Sequence, residues 1–433
     1  MKIYTIGGYE EIGNNMTAVE VNNDVFIFDM GIKLDRVMIH EDTNLQDMSP
    51  QKLKKLGAIP DDTILKNKNV RAIILSHGHL DHIGAVPKMA NKYNCPIIGT
   101  PYTIKLVSAM IRDEPLSKCN NELIAVNNGA NVGNNKIEFI DSTHSIPETK
   151  FTALHTSEGT VLYTGDFKLD MHPTIGNKPD FKRLKNLNPK VMITDSTRAP
   201  EGTKTPSEKV AVTMLQDFLL DKYDEKKGIV ATTFASHIAR IKTLLESAEK
   251  MGRTPLLIGR SLCKYYGIAL NLDIVNKSVR MVRRRNPVNK DLKKVNKNKE
   301  KYFVIVTGSQ GEKEAMLSRI ADKGTPLRLD KEDTVLFSTS VIPHPINRSN
   351  RYKLETKLRM QNVRLMRDVH VSGHGSREDL RELLRIVNPE YIIPAHGEYT
   401  MLASWAELGE EEGYRIEKDI FIRRNGQKVY IGD

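Results

Sequence analysis

The chain has 433 residues, 39% hydrophobic and 27% charged, which allows two or three globular domains with substantial cores. Lys and Arg number 65 against 54 Asp and Glu, and the resulting net charge of +11 favours a polyanionic partner such as nucleic acid. Three scattered cysteines, no long apolar run and no signal-peptide pattern exclude a disulfide scaffold, a cysteine zinc site and a membrane protein, so we expect a cytoplasmic location.

The N-terminal part of the chain predicts mainly strands. KIYTIGG, MTAVEV and VFIFDMG are short β-rich runs separated by turn residues. The apolar run VRAIILSHG (70–78) predicts a buried strand that ends at a group of histidines. Further predicted strands, KIEFIDSTHS, TVLYTGDFK and VMITDST, end near His144, Asp166 and Asp195. Polar side chains therefore recur at the ends of predicted strands.

The composition changes at STRAPEGTKTPSE (196–208), where Ser, Thr, Pro and Gly indicate a boundary. Beyond it, helical and strand patterns alternate, which predicts a parallel sheet with right-handed crossovers. The first helix places five apolar side chains on one face: Val210, Met214, Leu215, Phe218 and Leu219. No G-x-G-x-x-G occurs, so a dinucleotide site is not indicated.

A basic run covers residues 277–301, where eleven Lys and Arg residues stand against two acids. A solvated, lysine-rich loop and a surface that binds a polyanion are both compatible with this composition.

After residue 345 the first pattern returns. RDVHVSGHG predicts a strand, SREDLRELLRIV a helix, and YIIPAHGEY a strand that ends at His396. FIRRNGQKVYIGD predicts a hairpin with Asn425-Gly426 as its turn. We therefore predict that one domain, residues 1–200 and 346–433, is interrupted by a second domain, residues 201–345.

The stretch LSHGHLDHIG (75–84) carries the strongest chemical signal. Strand carboxyl ends share one edge of a sheet, so its side chains can converge with later acids and histidines. Two four-ligand sets are possible: His77, His79, His144 and Asp166, and Asp81, His82, His396 and the shared Asp166. A bridging carboxylate holds two metals roughly 3.5–4 Å apart, an arrangement that suits in-line hydrolysis of a phosphodiester. Taken singly, each acid or histidine is more typical of a turn or a strand end.

These motifs resemble a known family. SHGHLDHIG, the isolated His144 and Asp166 in LYTGDFK resemble the metallo-β-lactamase signature. The interrupting domain, VSGHGSREDL and IIPAHGEYTML resemble its β-CASP branch, and TFASHIARI with VTGSQGEKEAMLSRIA resembles ribonuclease J, in its shorter archaeal form. The resemblance implies an α/β fold: an αββα sandwich interrupted by an α/β β-CASP domain with a mainly parallel sheet.

The resemblance also implies roles for individual residues. The two ligand sets would each hold one divalent metal, zinc first and manganese as the alternative. Asp81 and His374 would be catalytic, with His374 contacting the scissile phosphate and protonating the leaving oxygen, while Asp29 and Asp195 would orient ligand or catalytic histidines. A pocket for the 5′-phosphate would fall on Ser236, His237, Gly375 and Ser376. His237 is a departure, since bacterial members often have Asn there.

The function that the resemblance implies is a two-metal, 5′-monophosphate-dependent 5′-to-3′ exoribonuclease in RNA degradation and processing, acting by in-line attack of a metal-bound hydroxide. We expect single-stranded RNA as partner, no membrane, a homodimer, and a basic run that helps to hold RNA. The alternatives are an endoribonuclease without 5′-end dependence, an RNA-binding relative without metals, and a small-ester hydrolase. The complete ligand set disfavours the second, and the inserted domain and basic charge disfavour the third.

Overall fold

The computed structural model describes residues 1–39, 48–114, 116–221, 227–331, 333–342, 344–367 and 369–432. The chain forms two compact units: Met1–Thr205 together with Ser372–Asp433, and Pro206–Val371. The first unit is thus interrupted by the second. The second unit extends beyond the predicted limit at 345, because the next helix and strand pack on its sheet: Leu354 and Leu358 join the same apolar cluster as Val335.

The strands, in chain order, are β1 (Lys2–Gly7), β2 (Met16–Val21), β3 (Asp24–Phe28), β4 (Asn69–Ile74), β5 (Ile97–Gly99), β6 (Leu123–Ala125), β7 (Gly129–Val132), β8 (Asn135–Asp141), β9 (Lys150–Thr156), β10 (Gly159–Tyr163), β11 (Val191–Asp195), β12 (Ile229–Thr232), β13 (Thr254–Ile258), β14 (Arg280–Val282), β15 (Tyr302–Val306), β16 (Thr334–Phe337), β17 (Arg364–Met366), β18 (Tyr391–Ala395) and β19 (Gln427–Tyr430).

The α-helices are α1 (Leu34–Ile39), α2 (Pro50–Lys55), α3 (Leu80–Ile83), α4 (Val86–Met89), α5 (Pro101–Asp113), α6 (Phe181–Lys185), α7 (Glu208–Gln216), α8 (Ile238–Lys250), α9 (Arg260–Asn271), α10 (Arg285–Lys297), α11 (Met316–Ala321), α12 (Pro345–Arg359), α13 (Arg377–Val387) and α14 (Tyr399–Glu411). Among the residues that the structure describes, no helix has both the length and the apolar character that a membrane crossing requires.

The first unit contains two sheets. One has the order β19-β1-β2-β3-β4-β5-β6 and the other the order β18-β11-β10-β9-β8-β7. A shared apolar cluster joins Phe26 and Ile74 of the first sheet to Leu154, Val161 and Ile393 of the second. Helices α13 and α14 cover the other face of the second sheet through side chains such as Leu383 and Trp405, and α5 covers β5 and β6. This is the predicted αββα sandwich.

The second unit contains one parallel sheet with the order β14-β13-β15-β12-β16-β17, in which every pair of neighbours is parallel. Buried β-branched and aromatic side chains fill these strands, as in YFVIV of β15, because helices lie on the sheet. The predicted α/β insert with a mainly parallel sheet is confirmed.

Two local predictions were wrong, and one of the two alternatives left open for the basic run is excluded. In the helix that begins at Glu208, Leu215, Phe218 and Leu219 are buried, but Val210 and Met214 are 45% and 39% exposed. The basic run is not a loop, since it forms β14 and α10. The terminal segment makes no local hairpin: β19 pairs antiparallel with β1, which offers a longer strand than the preceding residues do.

Candidate metal centre

The predicted metal ligands lie just beyond strand ends of the first unit. The loop that carries His77 and His79 follows β4, Asp166 follows β10, and His396 is the first residue after β18. His79 is also the N-cap residue of α3, so Asp81 and His82 sit in that helix. The architecture therefore brings together residues that lie more than 300 positions apart in the sequence.

Asp166 lies between the two predicted ligand sets, and the donor atoms of each set lie within 4.8 Å of one another. Its Oδ2 is 3.5 Å from Nε2 of His77 and 3.6 Å from Nε2 of His144. Its Oδ1 is 3.0 Å from Nε2 of His82 and 3.5 Å from Nε2 of His396. Each carboxylate oxygen thus faces one set, which is the arrangement that a bridging ligand needs.

The remaining ligands complete each set. Nδ1 of His79 lies 3.2 Å from Nε2 of His77 and 3.1 Å from Nε2 of His144. Oδ2 of Asp81 lies 3.6 Å from Nε2 of His396. All of these donors are nitrogen or carboxylate oxygen, the ligand types that zinc and related divalent metals take.

The outer hydrogen bonds of two histidines orient them for metal binding. Nδ1 of His144 lies 2.7 Å from the carbonyl oxygen of Gly373, which can only accept, so Nδ1 carries the proton. Nδ1 of His82 likewise lies 2.7 Å from Oδ2 of Asp29. The Nε2 atoms of both rings face the carboxylate of Asp166, and a divalent cation bound between these atoms would be attracted by that carboxylate. Oδ1 of Asp166 is buried and accepts no hydrogen bond from the described residues. The donor set therefore fits two divalent ions.

His396 differs from the other ligands. The N–H of Gly13 donates to its Nδ1 across 3.3 Å, whereas its Nε2 lies 3.6 Å from Oδ2 of Asp81 and 3.5 Å from Oδ1 of Asp166. Nε2 is therefore the ring nitrogen that faces the second set.

Burial and neighbouring charges shift the pKa values of the histidines in different directions. Burial lowers the pKa of His79 and His144 well below the usual value, which keeps these rings neutral and able to bind metal. Burial also lowers the pKa of His82, but the carboxylates of Asp166 and Asp29 outweigh it and raise that pKa well above the usual value. The position beside His82 therefore favours positive charge, whether a proton or a metal.

His374 lies at the rim of the two sets and is paired with Asp195. Its Nδ1 is 2.7 Å from Oδ2 of Asp195, and its Nε2 is 3.9 Å from Oδ2 of Asp166. Burial lowers the pKa of His374, but these two carboxylates outweigh burial and raise it to about 9. The ring is therefore protonated near neutral pH and can donate a proton.

The backbone of the centre is unusually constrained. Asp29 has φ 58° and His396 has φ 53°, a left-handed region that costs energy for residues with a side chain. A Cβ on Gly31 would lie 1.6 Å from the carbonyl oxygen of Asp81, and a Cβ on Gly373 would lie 2.7 Å from Cε1 of His144. Only glycine fits these two positions as they stand.

The structure places two of the four predicted phosphate-pocket residues beside α13 of the first unit. Ser376 is fully buried, its hydroxyl lies 2.9 Å from Oγ1 of Thr205, and its N–H donates to Oδ2 of Asp379 across 3.0 Å. The N–H of Gly375 donates to the carbonyl of Phe167 across 2.6 Å. Ser376 is thus the N-cap residue of α13, whereas its role toward phosphate stays a prediction.

The other two residues lie in the second unit. Ser236 is half-buried, and His237 is the N-cap residue of α8, where its Nδ1 accepts the N–H of Arg240 across 3.3 Å. Nε2 of His237 lies 3.7 Å from Oε2 of Glu208. Asn is a favoured N-cap residue, so His237 meets the same requirement at the position where bacterial relatives often have Asn. Its role toward phosphate also stays a prediction.

The sequence patterns missed several residues that surround the ligands. The Oγ of Ser76 lies 2.9 Å from Nδ1 of His77 and donates to Oδ2 of Asp29 across 2.8 Å. Nδ2 of Asn15 lies 3.0 Å from Nε2 of His82. Ser76 adjoins the histidine motif, and this adjacency was the only available signal, whereas nothing in the sequence places Asn15 beside His82.

Three segments of the chain match known families. Residues 10–107 match the metallo-beta-lactamase superfamily, residues 226–352 match "Ribonuclease J, beta-CASP domain", and residues 361–422 match "Zn-dependent metallo-hydrolase RNA specificity domain".

Whole-length relatives are similar as well. The chain is 54% identical to ribonuclease J of Pyrococcus abyssi over 100% of this chain and 97% of that protein. It is 47% identical to ribonuclease J of Methanocaldococcus jannaschii, over 99% and 98% respectively. It is 32% identical to ribonuclease J 1 of Streptococcus pyogenes, over 99% of this chain and 74% of that protein. A crystal structure of a protein of unknown function from Enterococcus faecalis shares the fold, with a TM-score of 0.68 at 16% identity over 99% of both chains.

Proposed function

Because the chain belongs to the ribonuclease J family, in the β-CASP branch of the metallo-β-lactamase superfamily, we propose that it is a two-metal 5′-to-3′ exoribonuclease that requires a 5′-monophosphate. The family membership makes it a metal-dependent nuclease. The observation that supports a two-metal mechanism is Asp166, whose two oxygens face separate ligand sets. The endonuclease alternative uses the same centre and differs only in whether the 5′ end matters.

The proposed ligands of one ion are His77, His79, His144 and Asp166, and those of the other are Asp81, His82, Asp166 and His396. We propose zinc as the metal, in line with the description of the matched C-terminal domain, with manganese as the alternative. Divalent ions bound there would neutralise charge on the phosphodiester and make water a usable nucleophile at neutral pH.

The chain itself supplies positioning and proton transfer. The protonated His374 faces the centre through Nε2, so it can bind a phosphate oxygen and donate its proton to the leaving oxygen. Asp195 accepts from Nδ1 of His374, which holds the ring and keeps it protonated. Asp29 holds His82 in the same way.

The 5′-phosphate preference rests on the resemblance. The resemblance implies that Ser236, His237, Gly375 and Ser376 bind the 5′-phosphate, and we propose this role for each of these residues. The predicted homodimer and cytoplasmic location also stay predictions.

The test is a gel assay of one RNA labelled at its 3′ end and prepared with 5′-monophosphate, 5′-triphosphate and 5′-hydroxyl termini. Wild type, Asp81→Ala, Ser236→Ala and Ser376→Ala are compared. We expect wild type to degrade the monophosphate form without discrete internal fragments, and Asp81→Ala to be inactive. We expect Ser236→Ala to lose the preference for the monophosphate while it retains cleavage.

Discrete internal cuts that do not depend on the 5′ end would reject the exonuclease proposal and support the endonuclease alternative. Cleavage by Asp81→Ala at the wild-type rate would reject the two-metal mechanism itself. Ser376→Ala needs a melting measurement beside the assay, because the buried hydroxyl also lies within hydrogen-bond distance of Thr205.

A further inference from the structure

Helix α10 of the second unit presents a row of cations that the proposed mechanism does not use. Its exposed face, together with the two residues before it, carries seven exposed basic side chains: Arg283, Arg284, Arg285, Lys290, Lys293, Lys294 and Lys297. We refer to these seven residues as the basic ridge. From Arg284 to Lys297 the helix rises about 20 Å, so the row is long enough to contact several successive phosphates of one strand.

Among the described residues, no acid pairs with the cations of the basic ridge. Within the described part of the chain, none of its seven side chains forms an ion pair. The only acid in the helix, Asp291, is buried and paired with Arg280 at 2.7 Å. By contrast, Arg381 of α13 pairs with Glu411 and Glu412, each at 2.7 Å. Arg381 of α13 is therefore neutralised by neighbouring acids, whereas the seven cations of the basic ridge are not.

Folding does not require these cations. The opposite face of α10 is anchored by Val288, Leu292 and Val295 in the core of the second unit. Lys290 and Lys294 are four residues apart, as are Lys293 and Lys297, and like charges at this spacing repel each other. A neutral residue of similar helix propensity, such as Gln, would avoid this repulsion, so the fold itself does not depend on the positive charge.

The ridge continues onto a neighbouring strand end. Strands β13 and β14 are parallel and end in register, with Ile258 opposite Val282. The N–H of Gly259 donates to the carbonyl of Val282 across 3.1 Å, so the exposed Arg260 follows beside Arg283. The positive surface therefore includes the starts of α9 and α10 and the exposed face of α10.

We propose that the basic ridge is a binding surface for single-stranded RNA through its phosphates, separate from the metal centre. This inference rests on the proposed function for the identity of the polyanion. A lipid surface is disfavoured because the apolar face of α10 is buried in the core and cannot insert into a membrane. Lysines that contact phosphates carry no information about the bases, so we expect binding to be independent of the RNA sequence.

The experiment compares the full-length Lys290→Glu/Lys294→Glu/Lys297→Glu variant with a matched control, Lys323→Glu/Lys331→Glu/Lys353→Glu. The control lysines are exposed, belong to the same unit and lack an ion pair among the described residues. The probe is a fluorescent 30-nucleotide RNA with a 5′-monophosphate, and all proteins carry Asp81→Ala so that the probe stays intact. Dissociation constants are measured across a range of salt concentrations.

We expect the ridge variant to bind roughly tenfold or more weakly at low salt, with the slope of log affinity against log salt reduced by about 2, since each lost phosphate contact removes about 0.7. The control should retain most of the wild-type slope. Equal slopes for the two variants would overturn the proposal. Binding of both variants to anionic phosphatidylserine vesicles is measured in parallel. If the ridge variant lost only vesicle binding while its RNA binding was unchanged, the proposal would also be overturned. Melting curves should show both variants folded.

The outcome is separable from the proposed function. If the chain without Asp81→Ala cleaves no RNA but the slope difference persists, the exonuclease proposal fails while the basic ridge stands. If that chain cleaves RNA and the slopes agree, only the basic ridge is rejected.

Discussion

Ser76 links Asp29 to His77: its hydroxyl donates to Oδ2 of Asp29 across 2.8 Å and lies 2.9 Å from Nδ1 of His77. The same Oδ2 lies 2.7 Å from Nδ1 of His82. Asp29 therefore supports a ligand of the second set directly and a ligand of the first set through one hydroxyl. Hydrogen bonds of this kind hold the ring orientation and raise the basicity of a metal-binding histidine.

Removal of this hydroxyl should weaken metal binding. In Ser76→Ala, Nδ1 of His77 loses its partner, so we expect zinc affinity to fall about 10- to 100-fold while the chain remains folded. Competition with a chromophoric chelator measures the affinity. Ser247→Ala serves as the control, because this buried serine lies in the second unit and its hydroxyl has no hydrogen-bond partner among the described residues. An unchanged affinity in Ser76→Ala would exclude the link.

Gly373 should be intolerant of a methyl group. In Gly373→Ala the new Cβ would lie 2.7 Å from Cε1 of His144, so the ring must move from the position that faces Asp166. We expect fewer bound metal ions per chain, by elemental analysis, with little change in the far-ultraviolet circular dichroism. Gly202→Ala is the control, since a Cβ there meets nothing within 4 Å. Wild-type metal content in Gly373→Ala would show that the ring position is not required.

Asp195 should control how activity depends on pH. The carboxylate raises the pKa of His374, so the ring stays protonated to higher pH. If His374 donates a proton during cleavage, activity falls as pH rises through this pKa. In Asp195→Asn the pKa drops, so the alkaline decline should begin at lower pH, while His374→Ala should lose the acid-dependent activity. Rates at constant saturating metal across pH 6 to about 10 make the comparison. If the alkaline decline of activity in Asp195→Asn began at the same pH as in wild type, the role of His374 as proton donor would be contradicted.

Glu138 should contribute stability that acid removes. Hydrogen bonds from Arg183, at 2.6 and 2.8 Å, outweigh burial and lower the pKa of Glu138 to about 2. Because the folded pKa is lower than the unfolded one, the stabilisation is complete above about pH 4.5 and disappears as pH falls toward 2.

Glu138→Gln should therefore lower the free energy of unfolding by about 1 to 2 kcal/mol at pH 7, allowing for partial solvent screening. The difference from wild type should shrink at pH 3, as measured by urea denaturation. Glu300→Gln is the control, because that carboxylate is exposed and has no ion pair among the described residues. An equal deficit at both pH values would assign the loss to packing rather than to charge.

The chain's spacing and composition by themselves determined most of the division into strands and helices and the predicted metal donors. Apolar runs that break at a polar residue mark where buried strands stop. His77, His144, Asp166 and His396 could therefore be assigned to strand ends from local patterns, although the prediction of one common sheet edge was wrong: β4 lies in one sheet of the first unit, and β8, β10 and β18 lie in the other. The interrupted αββα sandwich followed from the resemblance of those motifs, and the comparisons confirmed it.

Only the tertiary structure decided the relationships that depend on contacts between distant segments. The pairing of β19 with β1 replaced a plausible local hairpin at Asn425-Gly426, because register across a sheet depends on the partner strand as well as on the turn. The basic run became a helix because Val288, Leu292 and Val295 bury their side chains in the core of the second unit, and a charge count cannot reveal that. The proton positions on His82 and His144 depend on Asp29 and Gly373, which lie 53 and 229 residues away. Ligand types are properties of residues, whereas proton positions and bridging geometry are properties of atoms that folding brings within 3.6 Å of one another.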